Sequence, residues 1–122
     1  MTAPRPLEIR LRKDRKTLHV SFDDGAIVDL SAEYLRVMSP SAEVQGHSAD
    51  QRQTVGGKRN VEIIKLEPVG NYAIRIVFDD LHDTGIFSWP YFLDLGREHA
   101  ERWAQYLGEL EDKGLSRDPP AR

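Results

Sequence analysis

Leu7, Ile9 and Leu11 alternate with Glu8, Arg10 and Arg12, and a period of two predicts a strand with one buried face. Polar residues 13–16 form a turn, after which Leu18, Val20 and Phe22 alternate with His19 and Ser21 as a second strand. Asp23-Asp24-Gly25 is a hairpin turn, because glycine reaches positive φ freely, and Ala26 to Leu30 returns as a third strand. Ser31 caps a short helix over 32–38, and Pro40 forbids its extension. Residues 39–60 carry no apolar period, which in a compact domain marks a functional or mobile segment.

Val61 to Leu66 reads as a strand with Ile64 and Leu66 on one face. A turn at 68–71 leads into Tyr72 to Phe78, with Tyr72, Ile74, Ile76 and Phe78 on one face and Ala73, Arg75 and Val77 on the other. The charged turn 79–83 returns the chain as a strand over 84–87. Ser88 caps a helix that tolerates Pro90 in its first turn and breaks at Gly96. A last helix over 97–113 presents Ala100, Trp103, Ala104, Leu107 and Leu110 as one apolar stripe and ends at Gly114.

Strands and helices are segregated along the chain, which predicts an α+β fold: a small antiparallel sheet of hairpins, a short central helix, and two C-terminal helices packed on one side. One domain over 7–114 follows, between a flexible N-terminus over 1–6 and a disordered tail over 115–122 that contains Pro119 and Pro120. The 122 residues are ample for one core and leave little for a deep cleft.

A net charge of -3 argues against a nucleic-acid partner. The cluster Arg10, Arg12, Lys13, Arg15 and Lys16, interrupted by Glu8 and Asp14, reads as the exposed face of the first hairpin. The chain has no cysteine, so it offers no disulfide, thiolate ligand or cysteine nucleophile. With no apolar leader or membrane-length run, a cytoplasmic location is expected and a membrane partner is not.

Gly56-Gly57-Lys58 lacks the hydroxyl residue and glycine spacing of a phosphate loop. None of the common hydrolase, metalloprotease or dinucleotide motifs occurs, so no catalytic residue and no certain cofactor is nominated. His82 with Asp79, Asp80 and Asp83 supplies donors that suit a weak divalent metal site, although aspartates also suit a solvated turn. His47 in the long loop, with Trp89 and Tyr91 in an aromatic cluster that includes Phe92, Trp103 and Tyr106, are candidates for a partner-binding face; core packing is the simpler account of the aromatics.

Two stretches carry a resemblance. One runs from Leu30-Ser31-Ala32-Glu33-Tyr34-Leu35-Arg36 through Ser39-Pro40-Ser41-Ala42-Glu43-Val44 to Gly46-His47. The other runs from Pro68-Val69-Gly70-Asn71-Tyr72-Ala73 through Phe78-Asp79-Asp80-Leu81-His82-Asp83-Thr84-Gly85-Ile86 to Ser88-Trp89 and Leu95-Gly96. In order and spacing they resemble small bacterial proteins of the gamma-butyrobetaine hydroxylase-like N-terminal domain family over roughly 7–110. In the hydroxylase the corresponding domain holds a structural zinc through three cysteines and a histidine. Here those positions read Ser39, Ser41, Val44 and His82, so the resemblance implies that this chain has lost the family's zinc. The hydroxylase's oxidising chemistry resides in a separate domain that nothing here matches. The same N-terminal domain also occurs fused to nucleotide-binding iron–sulfur carriers, which implies an accessory or protein-interaction role in cluster assembly or delivery. Metal binding through His82 and its neighbouring aspartates is the alternative.

Overall fold

The computed structural model describes residues 4–120. The expected α+β architecture is present, with two three-stranded antiparallel sheets where the hairpin pattern suggested one. The first comprises β1 (Pro6–Leu11), β2 (Thr17–Phe22) and β3 (Ile27–Ser31) in that order. Cross-strand rows Leu11, Leu18, Leu30 and Ile9, Val20, Val28 line its inner face. Helices α1 (Ala32–Val37) and α2 (Ala42–Gln45) and one 3-10 turn over Ala49–Gln51 follow. The second sheet comprises β4 (Ile63–Val69), β5 (Ala73–Phe78) and β6 (Ile86–Ser88), and α3 (Trp89–Arg97) and α4 (His99–Asp112) complete the domain. Of the expected flexible N-terminus, 1–3 lie outside the described residues, as do 121–122 of the expected tail.

Helix α1 lies at the centre. Its cap is as the sequence indicated: the Ser31 hydroxyl accepts from the Tyr34 N–H at 3.0 Å. All six of its residues are buried, Glu33 and Arg36 included. Around it close Leu18, Phe22 and Leu30 from the first sheet, Ile63, Ile76, Phe78 and Phe87 from the second, Phe92 and Leu95 from α3, and Tyr106 from α4. The two sheets meet at the first hairpin turn, where the Ile63 N–H donates to the Arg15 carbonyl at 2.8 Å.

Four local expectations change. Ile63, not Ile64, enters the core, because the β4 register shifts between Ile63 and Lys65; the Arg15 guanidinium binds both carbonyls at this irregularity, Ile63 at 3.3 Å and Ile64 at 2.9 Å. Of the strand face expected to contain Tyr72, that residue is exposed while Ala73 is buried. The buried face of α4 is Tyr106 and Leu110 with Trp103 half-buried, and Ala100, Ala104 and Leu107 face solvent. That rotation places the larger aromatic surface inward and lets the Tyr106 hydroxyl donate to the Val55 carbonyl at 2.6 Å. Finally, Gly96 does not end its helix; α3 continues to Arg97 and the chain turns at Glu98.

Gly96 is instead a packing residue. A Cβ there would meet Val28 Cγ1 at 2.5 Å, so its absence lets α3 seat on β3.

Residues 39–60 are pinned to α4. Arg52 binds both Glu109 carboxylate oxygens at 2.6 Å, and the Gln53 N–H donates to the Val44 carbonyl at 2.6 Å. Beyond Gly114 the chain folds back rather than leaving the domain: the Gly57 and Arg59 N–H groups donate to the Ser116 and Arg117 carbonyls at 2.8 and 2.9 Å.

Gly96→Ala is expected to destabilise the protein by about 1–3 kcal/mol through overpacking, opposite in sign to the usual helix-propensity effect. Gly108→Ala in α4, where a Cβ meets nothing within 4 Å, is expected to stabilise by up to about 1 kcal/mol. Urea unfolding of the two variants checks both signs.

Candidate functional site

The polar residues singled out by sequence meet where the link between α1 and α2 crosses the turn between β5 and β6. Pro40 stops α1, and Ser41 starts α2 by accepting from the Glu43 N–H at 3.1 Å. Opposite, the turn 79–85 closes with the Phe78 N–H donating to the His82 carbonyl at 3.0 Å. Leu81 takes a φ of 73 there, which puts its side chain in solvent and turns His82 inward.

His82 is 6% exposed and both ring nitrogens are engaged. Nε2 lies 2.9 Å from Ser39 Oγ and Nδ1 lies 3.1 Å from Glu43 Oε2. Burial and the nearby Arg36 charge lower its pKa, more than Glu43 and Asp80 raise it. The neutral ring has one consistent tautomer: Nδ1–H donates to Glu43, and Nε2 accepts from the Ser39 hydroxyl. Ser39 Oγ in turn accepts from the Ser41 N–H at 3.3 Å, and the Ser41 and Thr84 hydroxyls share a hydrogen bond of 2.6 Å.

Serine, imidazole and carboxylate in sequence is the connectivity of a nucleophile, a base and its orienting group. The surroundings do not suit that chemistry. Ser39 is fully buried, and Gly85 packs so closely on its hydroxyl that even a Cβ would overlap it. A substrate carbonyl has no room at that oxygen.

The aspartates do different work. Asp80 accepts from the His82 N–H at 3.1 Å and from Arg36 Nε at 2.7 Å, and Lys58 Nζ lies 2.6 Å from the same oxygen as Arg36. Burial alone would raise its carboxyl pKa; Lys58, the His82 N–H and Arg36 outweigh it and hold the value at about 2. Asp79 accepts from the Glu62 N–H at 3.1 Å, tying the turn to the start of β4. Asp83 is half-buried. Among the described residues no three His, Cys, Asp or Glu side chains converge as a metal-binding group.

The four positions at which the resemblance implies a zinc set do not fit that ion. Ser39 and His82 are in contact, but Ser39 and Ser41 offer hydroxyls already bonded to His82 and Thr84, and Val44 offers buried hydrocarbon. Sequence reasoning nominated His82 and Asp80 while missing Glu43, Lys58, Arg36 and Thr84. Arg36, Glu43 and Thr84 lie within the two resembling stretches, which was their only signal, and Lys58 lies in neither.

Of the residues nominated for partner binding, Tyr91 is half-buried, with its hydroxyl on the Met38 carbonyl and Arg102 5.7 Å above its ring. His47 is exposed in the loop. Trp89 stacks on Phe92 with ring centroids 6.3 Å apart and donates its indole N–H to the Asn71 carbonyl at 2.9 Å. The Trp89 backbone N–H reaches the Tyr72 carbonyl at 3.3 Å, beside a Tyr72 side chain that is 57% exposed. The backbone bond thus sets Tyr72 next to Trp89 at one corner of the second sheet, without stacking of the two rings, whereas His47 and Tyr91 belong to other surroundings.

The family model described as gamma-butyrobetaine hydroxylase-like, N-terminal, matches residues 9–93. Two solution structures solved by NMR are similar over 99% of this chain, with TM-scores of 0.82 for each: one is 44% identical and covered to 95%, the other 42% identical and covered to 93%. A crystal structure of a protein of unknown function from Acidithiobacillus ferrooxidans, of the DUF971 family, is 38% identical with a TM-score of 0.63, over 75% of this chain and 92% of that one. No curated protein matches. Among the described residues no helix is long and apolar enough to cross a membrane.

Ser39→Ala removes the donor to a buried imidazole and is expected to cost about 1–3 kcal/mol. The pH dependence has a definite sign. The unfolded chain binds the His82 proton more tightly than the folded one, so this contribution is complete above pH 6.5 and is lost as pH falls through the lowered folded value. Asp80 adds a second loss between pH 3.8 and about 2. Thermal melts from pH 8 to pH 2 should show both, and His82→Phe should abolish the first.

Proposed function

Because the chain belongs to the gamma-butyrobetaine hydroxylase-like N-terminal family, we propose that it acts as an accessory protein-interaction module, with a nucleotide-binding iron–sulfur cluster carrier as its partner. The family's fusions to such carriers suggest the partner. The observation that supports an interaction role is the corner formed by Tyr72 and Trp89. The half-buried Trp89 is an aromatic anchor already held in place, and Tyr72 beside it adds exposed aromatic surface. Such anchors contribute strongly to binding because little side-chain freedom is lost when they are covered.

The corner is also well fixed from behind. Stacking on Phe92 and the indole bond to Asn71 hold Trp89 in one orientation, and Phe92 is itself buried in the core. By contrast, His82, Ser39, Asp80 and Glu43 have their hydrogen bonds with one another and with α1 or Lys58. Their arrangement supports a structural role in holding the domain that presents the corner.

Titration of the isotopically labelled protein with a purified cluster carrier should shift the Trp89 indole N–H and the Tyr72 amide saturably. Tyr72→Ala should weaken the complex by about 1–2 kcal/mol without altering the fold. If neither signal moves in the presence of excess carrier, with or without its cluster, the partner assignment is wrong. A complex that forms but leaves Tyr72 and Trp89 unshifted would overturn the corner instead.

A further inference from the structure

The segment after α4 is seated against residues 56–59 and α1. Gly57 and Arg59 donate their N–H groups to the Ser116 and Arg117 carbonyls, so two main-chain bonds hold the segment against residues 57–59. Gly56 allows the close approach, because a Cβ at that position would meet the Ser116 carbonyl oxygen at 2.9 Å. The φ of 75 at Gly57 is likewise open to glycine. The Gly56-Gly57 pair, which does not make a phosphate loop, thus has a defined use.

One side chain gives the seat its selectivity. Arg117 binds the Glu33 carboxylate through both oxygens, Nε to Oε2 at 2.8 Å and an Nη to Oε1 at 2.7 Å. Its guanidinium lies 5.1 Å from the centre of the Trp103 ring. Planar, two-pronged recognition with aromatic stacking suits arginine far better than lysine. The Glu33 side chain is 7% exposed, and an unpaired carboxylate buried to that extent is costly. Removing the tail therefore creates a demand for another arginine. Leu115, the segment's large apolar residue, is nearly half exposed, so attachment rests on the arginine, the two main-chain bonds and an ion pair of Asp118 with Arg59. A groove of about 390 Å³ beside Gly56, Gly57 and Leu115 leaves room for side chains bulkier than the tail's own.

We propose that this seat is a peptide-binding site for an arginine-bearing segment of a partner protein, and that residues 115–118 are its intramolecular occupant. The site uses none of the residues of the Tyr72 and Trp89 corner, so either reading can fail alone. Bending at Gly114, where φ is 66, lets the occupant leave without disturbing α4. The tail then competes with the partner in cis.

The test uses the full chain and a synthetic peptide of residues 114–120. In labelled full-length Arg117→Ala, the peptide should shift the Gly57 and Arg59 amides and the Trp103 indole saturably. It should bind the wild-type chain at least tenfold more weakly, because the wild-type tail fills the seat. Replacing arginine by alanine in the peptide, or adding Glu33→Gln to the chain, should reduce affinity at least tenfold. Equal affinity for both chains, no binding to Arg117→Ala, or binding indifferent to the peptide's arginine would overturn the proposal. If Arg117→Ala does not fold, Arg117→Lys, which keeps a charge against Glu33 but not the two-pronged contact, takes its place: tighter peptide binding to Arg117→Lys than to the wild-type chain supports the seat, and equal affinity overturns it.

Discussion

Burying a short helix that carries two opposite charges is the constraint on which the rest of this structure depends. Glu33 and Arg36 sit on α1, 6% and 9% exposed. A charge in such surroundings is tolerated only when it is paired and hydrogen-bonded. Neither has its partner nearby in sequence. Arg36 is met by Asp80 from the turn between β5 and β6, and Glu33 by Arg117 from beyond the last helix. These two ion pairs draw distant parts of the chain onto the central helix, one from each side. Lys58 adds the middle loop to the first of them.

The hydrogen bonds around His82 act at the same joint on a smaller scale. Ser39 with His82, Ser41 with Thr84, and His82 with Glu43 tie the α1–α2 link to the β5–β6 turn. Each such bond contributes about 1 kcal/mol net, against roughly ten or more for a structural zinc. They fix geometry more than they supply stability. The energy must come from the apolar surface packed nearby, including Val44, Phe78 and Phe87, all of them buried. A neutral imidazole suits this arrangement because its two nitrogens, one donor and one acceptor, can bridge a carboxylate and a hydroxyl.

Much of the fold was legible from alternation, turns and caps. The β2–β3 hairpin, the caps at Ser31 and Ser88 and the two C-terminal helices follow from local chemistry, and the structure has them. Legibility declined where a neighbour decides the outcome. The register shift in β4 is stabilised by Arg15, some 48 residues earlier. The rotation of α4 answers to Val55, and the continuity of α3 through Gly96 to the need for space beside Val28. In the candidate site, His82 and Asp80 stood out by residue type. Glu43, Lys58 and Thr84 did not, because an ordinary surface residue becomes part of a site only when the fold brings a partner to it.

By itself the sequence determined the α+β class, the order of the elements, the family to which the chain belongs and the absence of thiolate chemistry. These depend on periodicity, local backbone preference and composition, which are properties of neighbouring residues. Tertiary structure alone decided that there are two sheets, that α1 is buried on every side, that His82 faces Ser39 rather than the aspartates beside it, and that the tail returns to Glu33. Those outcomes depend on pairing across 43 to 84 residues, and the free energy that selects among such pairings exists only once both partners have left water together.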